Sequence, residues 1–136
     1  MTAVIFRLKG GYFCVILLVA MMKMHIIRNK ASAAEIKDML ASLNSYIKLA
    51  VDVKREVLAG GGMLHADCEA LLLNDGSKQN DIWGADWLPD SQEVRFEALI
   101  NIRPRQNNKS MIIEDEKICA KIASIVTKRL GNEKPR

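Results

Sequence analysis

Apolar and polar positions recur along this chain with two different periods, and the elements it should form follow from where each period holds. Ser32 stands three residues before Glu35, the spacing of a capping box, and Ile36, Met39, Leu40 and Leu43 follow at helical intervals. Residues 33–42 are therefore predicted as an amphipathic helix. A second helix is predicted from about Ser45 to Leu58. Its buried stripe is Tyr46, Ala50, Val53 and Val57, widened by Ile47, Val51 and Leu58, while Lys48, Asp52, Arg55 and Glu56 lie mostly elsewhere. Gly60-Gly61-Gly62 then reads as a left-handed helix cap and turn. A phosphate loop is disfavoured, because that motif needs a strand before the glycines and Gly-Lys-Ser/Thr opening a helix after them.

Alternation takes over downstream. His25-Ile26-Ile27 is a short β-prone stretch, and three further strands are predicted at 64–73, 82–88 and 94–103. Asn74-Asp75-Gly76 and Pro89-Asp90 supply turn chemistry between them, and Pro104 marks the exit from the sheet. A polar loop, 105–110, leads to a final helix capped by Asp115, buried through Ile118, Ile122, Ile125 and Val126, and stopped at Gly131. Consecutive strands with short connections predict an α+β fold, an antiparallel three- to four-stranded meander with helices packed on one face.

Splitting each strand into its two faces gathers the polar residues. Leu64, Ala66, Cys68, Ala70 and Leu72 oppose His65, Asp67 and Glu69. Trp83, Ala85 and Trp87 oppose Ile82, Gly84, Asp86 and Leu88, while Val94, Phe96, Ala98, Ile100 and Ile102 oppose Arg95, Glu97, Leu99, Asn101 and Arg103. The reverse face of the expected sheet thus collects His65, Asp67, Glu69, Asp86, Arg95, Glu97, Asn101 and Arg103. Such a face is either solvated or a binding surface.

Catalytic candidates on it are His65, Asp67, Glu69 and Glu97, since a histidine beside carboxylates can move protons. Three metal ligands from one strand cannot converge, because alternate residues stand about 6.8 Å apart. A cross-strand set of His65, Asp86 and Glu97 suits an ion better. Arg95, Arg103 and Arg105 with Asn101 and Asn108 offer guanidinium and amide groups for an anion. Cys68 and Cys119 read as small buried thiols.

Composition narrows the picture. The 136 residues, 49% hydrophobic and 26% charged, suit one domain rather than a disordered or low-complexity chain. Three widely spaced cysteines make neither a disulfide framework nor a four-cysteine zinc site. Arg7, Lys9 and Lys23, with no acid among residues 1–23, supply three of the four net positive charges. The remainder is nearly neutral, which gives little support to electrostatic capture of nucleic acid. That leader holds an unbroken apolar run, Tyr12 to Met22. It fits a secretory signal or anchor, a packed segment, or residues upstream of a true start at Met22 or Met24. No small-residue cleavage site follows it, and it is shorter than the roughly 20 residues of a membrane span. The expected organisation is a leader, 1–23, a single domain, 24–131, and a fraying tail, 132–136.

Tyr46-Ile47-Lys48-Leu49-Ala50-Val51-Asp52, then Gly61 through Leu73 with His65-Ala66-Asp67-Cys68-Glu69 at its centre, form a distinctive pattern. Asp75 to Gln79, Asp81 to Gly84, and Leu99 to Pro104 with Asn108 and Ser110 complete it. Over about residues 24–130 the chain resembles a family of small prokaryotic proteins filed as a domain of unknown function. The resemblance implies a soluble, cytoplasmic protein whose family starts near Met24, which favours the third view of the leader. It offers no activity or established site, so no catalytic residue is carried across, and it leaves the cofactor unknown.

The expected function is a binding or interaction module that takes a small anionic molecule or a protein partner through the polar face and the 105–110 loop. The alternative is a hydrolase or lyase built on His65 and nearby carboxylates, with or without a divalent metal. A third, an RNA-associated or toxin–antitoxin-like regulator, lacks the exposed aromatic platform on which bases stack, because Trp83, Trp87 and Phe96 are assigned to the core.

Overall fold

The computed structural model of the chain describes residues 23–132. The leader, apart from Lys23, and the tail beyond Asn132 lie outside the described residues. Among the described residues, five strands, β1 (His25–Ile27), β2 (Ile47–Asp52), β3 (Val57–Gly60), β4 (Ile82–Leu88) and β5 (Glu93–Arg95), form one sheet in the order β1-β3-β2-β4-β5. Every neighbouring pair is antiparallel. The described residues also form three helices, α1 (Ala33–Leu40) and α2 (His65–Asn74) between strands and α3 (Glu116–Leu130) after the last one, with short 3-10 turns at Gln79–Asp81, Leu99–Asn101 and Pro104–Gln106. The class is α+β as expected, with more strands than the sequence pattern indicated.

Two of the predicted helices stand. Ser32 and Glu35 close the capping box of α1, and Ile36, Met39 and Leu40 are buried. Asp115 Oδ1 accepts the Lys117 N–H at the start of α3, whose Ile122, Ile125, Val126 and Leu130 are buried before Gly131.

The helix expected at 45–58 is instead the β2–β3 hairpin. Ile47 and residues 49–52 are all buried, so the strand is covered on both faces and its apolar run fits either period. Its β-branched Ile47 and Val51 favour the extended form. Asp52 then closes the turn: its Oδ1 accepts the N–H groups of Lys54 and Arg55, each at 2.9 Å, and Glu56 adopts φ 57°. The left-handed glycine turn expected at 60–62 is present, but it follows a strand. Gly61 has φ 99°, and a Cβ there would lie 2.6 Å from the Lys23 carbonyl oxygen.

The strand expected at 64–73 is α2. Cys68 and Leu72, four residues apart, are its buried positions, and alanine, leucine and glutamate favour the helix. Asp67, at the third helical position, accepts the Leu64 N–H at 3.2 Å and anchors the first turn. The strand expected at 94–103 survives only as β5. Beyond it Phe96 and Ala98 exchange backbone hydrogen bonds with Ile113 and Met111, and the chain then turns at Leu99–Asn101.

The helices do not share one face. Ile36, Met39, Ile122 and Ile125 of α1 and α3 pack on Ile47, Leu49, Val51, Trp83 and Trp87, whereas Cys68 and Leu72 of α2 pack on Ala50, Ala59 and Ile82 from the opposite side. Topology explains this. β1 crosses through α1 to β2, two places along the sheet, and β3 crosses through α2 to β4 by the same step in the same direction. β1 and β2 run opposite to β3 and β4, so crossovers of one hand must cover opposite faces.

Candidate functional site

On the α2 side of the sheet, Lys48, Asp86 and Arg95 occupy one register row: Asp86 is the direct cross-strand partner of Lys48 on one side and of Arg95 on the other. Neighbours in such a row stand about 5 Å apart at Cβ, so a single carboxylate lies between two cations. Lys48 Nζ donates to the Met63 carbonyl at 3.1 Å. Arg95 makes a looser pair, 3.3 Å, with exposed Glu93.

The start of α2 sets His65 over this row. Its Nε2 lies 2.7 Å from Asp86 Oδ1 and 3.2 Å from the Ala85 carbonyl oxygen. Both are acceptors, which assigns a proton to Nε2 and leaves Nδ1 as the ring's basic nitrogen. The two side chains retain only 12% and 16% of their exposure, so the bond is shielded from water. An open cleft of about 440 Å³ borders them, with Lys48, Arg95 and Glu97 also at its surface. Its remaining lining is largely apolar, including Leu64, Leu99, Ile100 and Met111.

One wall of the cleft is irregular backbone held by two buried amides. Where β5 has ended, Asn101 takes the place of a strand: its Oδ1 accepts the Gly84 N–H at 2.8 Å and its Nδ2 donates to the Gly84 carbonyl at 3.0 Å. A Cβ at residue 84 would lie 2.5 Å from Ala98 Cβ, so glycine is what lets this wall close on the sheet. Asn108 Nδ2 reaches the carbonyls of Asn101, Ser110 and Ile112 at 2.8, 3.0 and 3.0 Å, and its Oδ1 accepts the Glu114 N–H. Both asparagines, expected at a ligand, are buried and saturated by backbone.

The other candidates disperse. Glu69 pairs with Arg103 at 3.1 Å, away from the cleft, and both are nearly buried. Arg103 also donates to the carbonyls of Ile100 and Gln79 and lies 4.9 Å from the centre of the Trp83 ring. Burial pushes the Glu69 carboxyl up, against the pull of Arg103, and burial pulls the Arg103 guanidinium down, against the pull of Glu69. Arg105 borders a separate concavity of about 360 Å³ with Gln79, Asn80 and Gln106. Asp67 is occupied at the helix start. The expected flat polar face is thus replaced by a cleft that keeps His65, Asp86, Arg95 and Glu97 together and sends Asp67, Glu69, Arg103 and Arg105 elsewhere.

Those four share a cleft without forming a ligand cage: among the described residues, no three His, Cys, Asp or Glu side chains are grouped closely enough to hold a metal ion. Cys68 lies between α2 and the sheet, 3.5 Å from the Lys48 carbonyl oxygen, and burial pushes its thiol up to about 11. Trp83 and Trp87 are buried. Lys48 was missed by the sequence pattern, since the helix predicted at 45–58 turned it away. The alternation Ile47-Lys48-Leu49 is the signal that marks it as a lone cation on a strand.

Among the described residues no helix is long and apolar enough to cross a membrane. Comparison with curated proteins and with solved structures finds no match. A family model described as "Protein of unknown function (DUF5674)" matches residues 25–129, which takes in every strand, nearly all of α3 and the whole cleft. The chain belongs to the DUF5674 family.

Proposed function

We propose that this protein is a binding module for a small anionic molecule with an apolar portion, held in the cleft between α2 and the 96–111 segment. The observation that carries this is the register row Lys48–Asp86–Arg95. The row sets two cations against one carboxylate, and Lys48 is hydrogen-bonded to the neutral Met63 carbonyl while Arg95 has only its exposed, looser pair with Glu93, so the row carries net positive charge for a carboxylate or phosphate. The apolar lining favours the rest of the ligand. Isocaproate, a carboxylate on a branched chain, is a suitable probe in an NMR titration. It should shift the resonances of Lys48, His65 and Arg95, and the combined Lys48→Gln and Arg95→Gln variant should weaken it about tenfold or more. Shifts confined to Arg105 and Gln106 would move the site to the second concavity, and no shift at all would refute the proposal.

A second reading, a hydrolase or lyase, is favoured by the His65–Asp86 bond. A carboxylate holding Nε2–H orients the ring and supports the imidazolium formed when Nδ1 takes a proton. A panel of p-nitrophenyl esters and phosphates tests it: turnover that is lost in both His65→Gln and Asp86→Asn supports it, and turnover unchanged by them counts it out.

A further inference from the structure

The cleft holds more than a place for an anion. It is lined by two cations, Lys48 and Arg95, and by two carboxylates, Asp86 and Glu97. Asp86 has His65 at 2.7 Å. Glu97 is exposed, and among the described residues its side chain has neither a hydrogen bond nor an ion pair. A ligand that is only an anion would sit on Arg95 with this unneutralised carboxylate close by, which disfavours it. Two residues apart on an extended chain, side chains point the same way about 6.8 Å apart. An ammonium and a carboxylate on one small molecule can therefore reach Glu97 and Arg95 together, each through its own charge-assisted hydrogen bond.

We infer that the ligand is a zwitterion with an apolar side group, the chemistry of a free hydrophobic amino acid. Its carboxylate meets Lys48 and Arg95, its ammonium meets Glu97, and its side chain lies against Leu64 and Leu99. Those two leucines are 57% and 71% exposed, and a bound side chain would cover them. The inference rests on the cleft being a carboxylate site and adds the ammonium half to it.

Isothermal titration of the full chain with four probes separates the two claims. Leucine should bind about tenfold more tightly than isocaproate, which lacks the amino group, and than leucinamide, which lacks the carboxylate. Glycine, lacking the apolar group, should also be weaker by about tenfold. Glu97→Gln, at an exposed position where the fold should be untouched, should erase the advantage of leucine over isocaproate. Isocaproate binding as tightly as leucine overturns the zwitterion and leaves the anion site standing. A preference for leucine that survives Glu97→Gln, or glycine equal to leucine, overturns the assigned contacts. Binding of leucinamide alone, or of none of the four, overturns both claims.

Discussion

The two faces of the sheet are built from different materials. Toward α1 and α3 the strands present Ile27, Ile47, Leu49, Val51, Leu58, Trp83 and Trp87, large side chains that join the helices in one apolar cluster. Toward α2 and the 96–111 wall the same strands present a smaller apolar set, Ala50, Ala59 and Gly84 with Val57 and Ile82, and among them Lys48, Asp52 and Asp86. Small residues let a helix and a loop come close to the backbone; Lys48 and Asp86 meet the Met63 carbonyl and His65, while Asp52 is held through Oδ1 alone and its buried Oδ2 has no partner among the described residues. Most of the hydrophobic stabilisation thus resides on one face, which leaves the other able to hold ionic groups in a cleft.

The sharpest way to break this contrast is to attack the apolar face. Trp87→Ala, at a position only 1% exposed, should cost about 3–5 kcal/mol in urea unfolding. Asn101→Leu strikes the other face and should cost a comparable amount, about 1–3 kcal/mol for each of the two groups it orphans, the Gly84 N–H and carbonyl. It should also dismantle the wall, so amide exchange at 98–111 should accelerate while exchange in α3 stays slow.

The third test lies outside both faces. Arg28 and Arg55 hold the Asp75 carboxyl well below the usual carboxylate range, chiefly through the hydrogen bond from Arg28 and then that from Arg55. A folded-state value below the unfolded one means that this clamp stabilises the fold above the ordinary carboxylate range, about pH 4, and loses its contribution as pH falls below it. Asp75→Asn should therefore lower the urea midpoint at pH 7, and the gap from wild type should narrow on acidification. A gap that widens instead would contradict the clamp. Smallest of all, Leu99→Ser at the cleft rim should leave stability within about 0.5 kcal/mol and weaken isocaproate. A large loss of stability there would show that the exposed rim belongs to the core after all.

Legibility differed sharply between regions. α1 and α3 could be read because each has one buried stripe and an unambiguous cap, Ser32 with Glu35 and Asp115; β4 could be read from its Trp83-Ala85-Trp87 alternation, although Ile82 and Gly84 on its other face are buried as well. Residues 45–58 and 64–73 were exchanged in type because both are short and rich in apolar residues. Ile47 to Asp52 is buried on both sides, so its pattern fits a helical stripe, while α2 alternates by accident of Leu64, Ala66, Cys68, Ala70 and Leu72. The candidate site suffered the same way. His65, Asp86, Arg95 and Glu97, polar residues of the expected sheet face, do line one cleft, and Lys48 joins them because residues 47–52 form a strand and not the expected helix. The amides of Asn101 and Asn108 suit a ligand by residue type, but an asparagine amide serves equally well as a substitute for backbone, which is their use here.

By itself, the sequence determined the α+β class, the capped helices at either end of the domain, and which residue types could carry charge chemistry. These follow from interactions within a few positions: caps, turns and the period of a one-sided face. Only the tertiary structure decided that α2 lies opposite α1 and α3, that a histidine from a helix meets an aspartate from a strand, and that Glu69 and Arg103 neutralise each other away from the cleft. Those outcomes depend on strand order and crossover hand, which join residues far apart in the chain and leave no local periodicity to read.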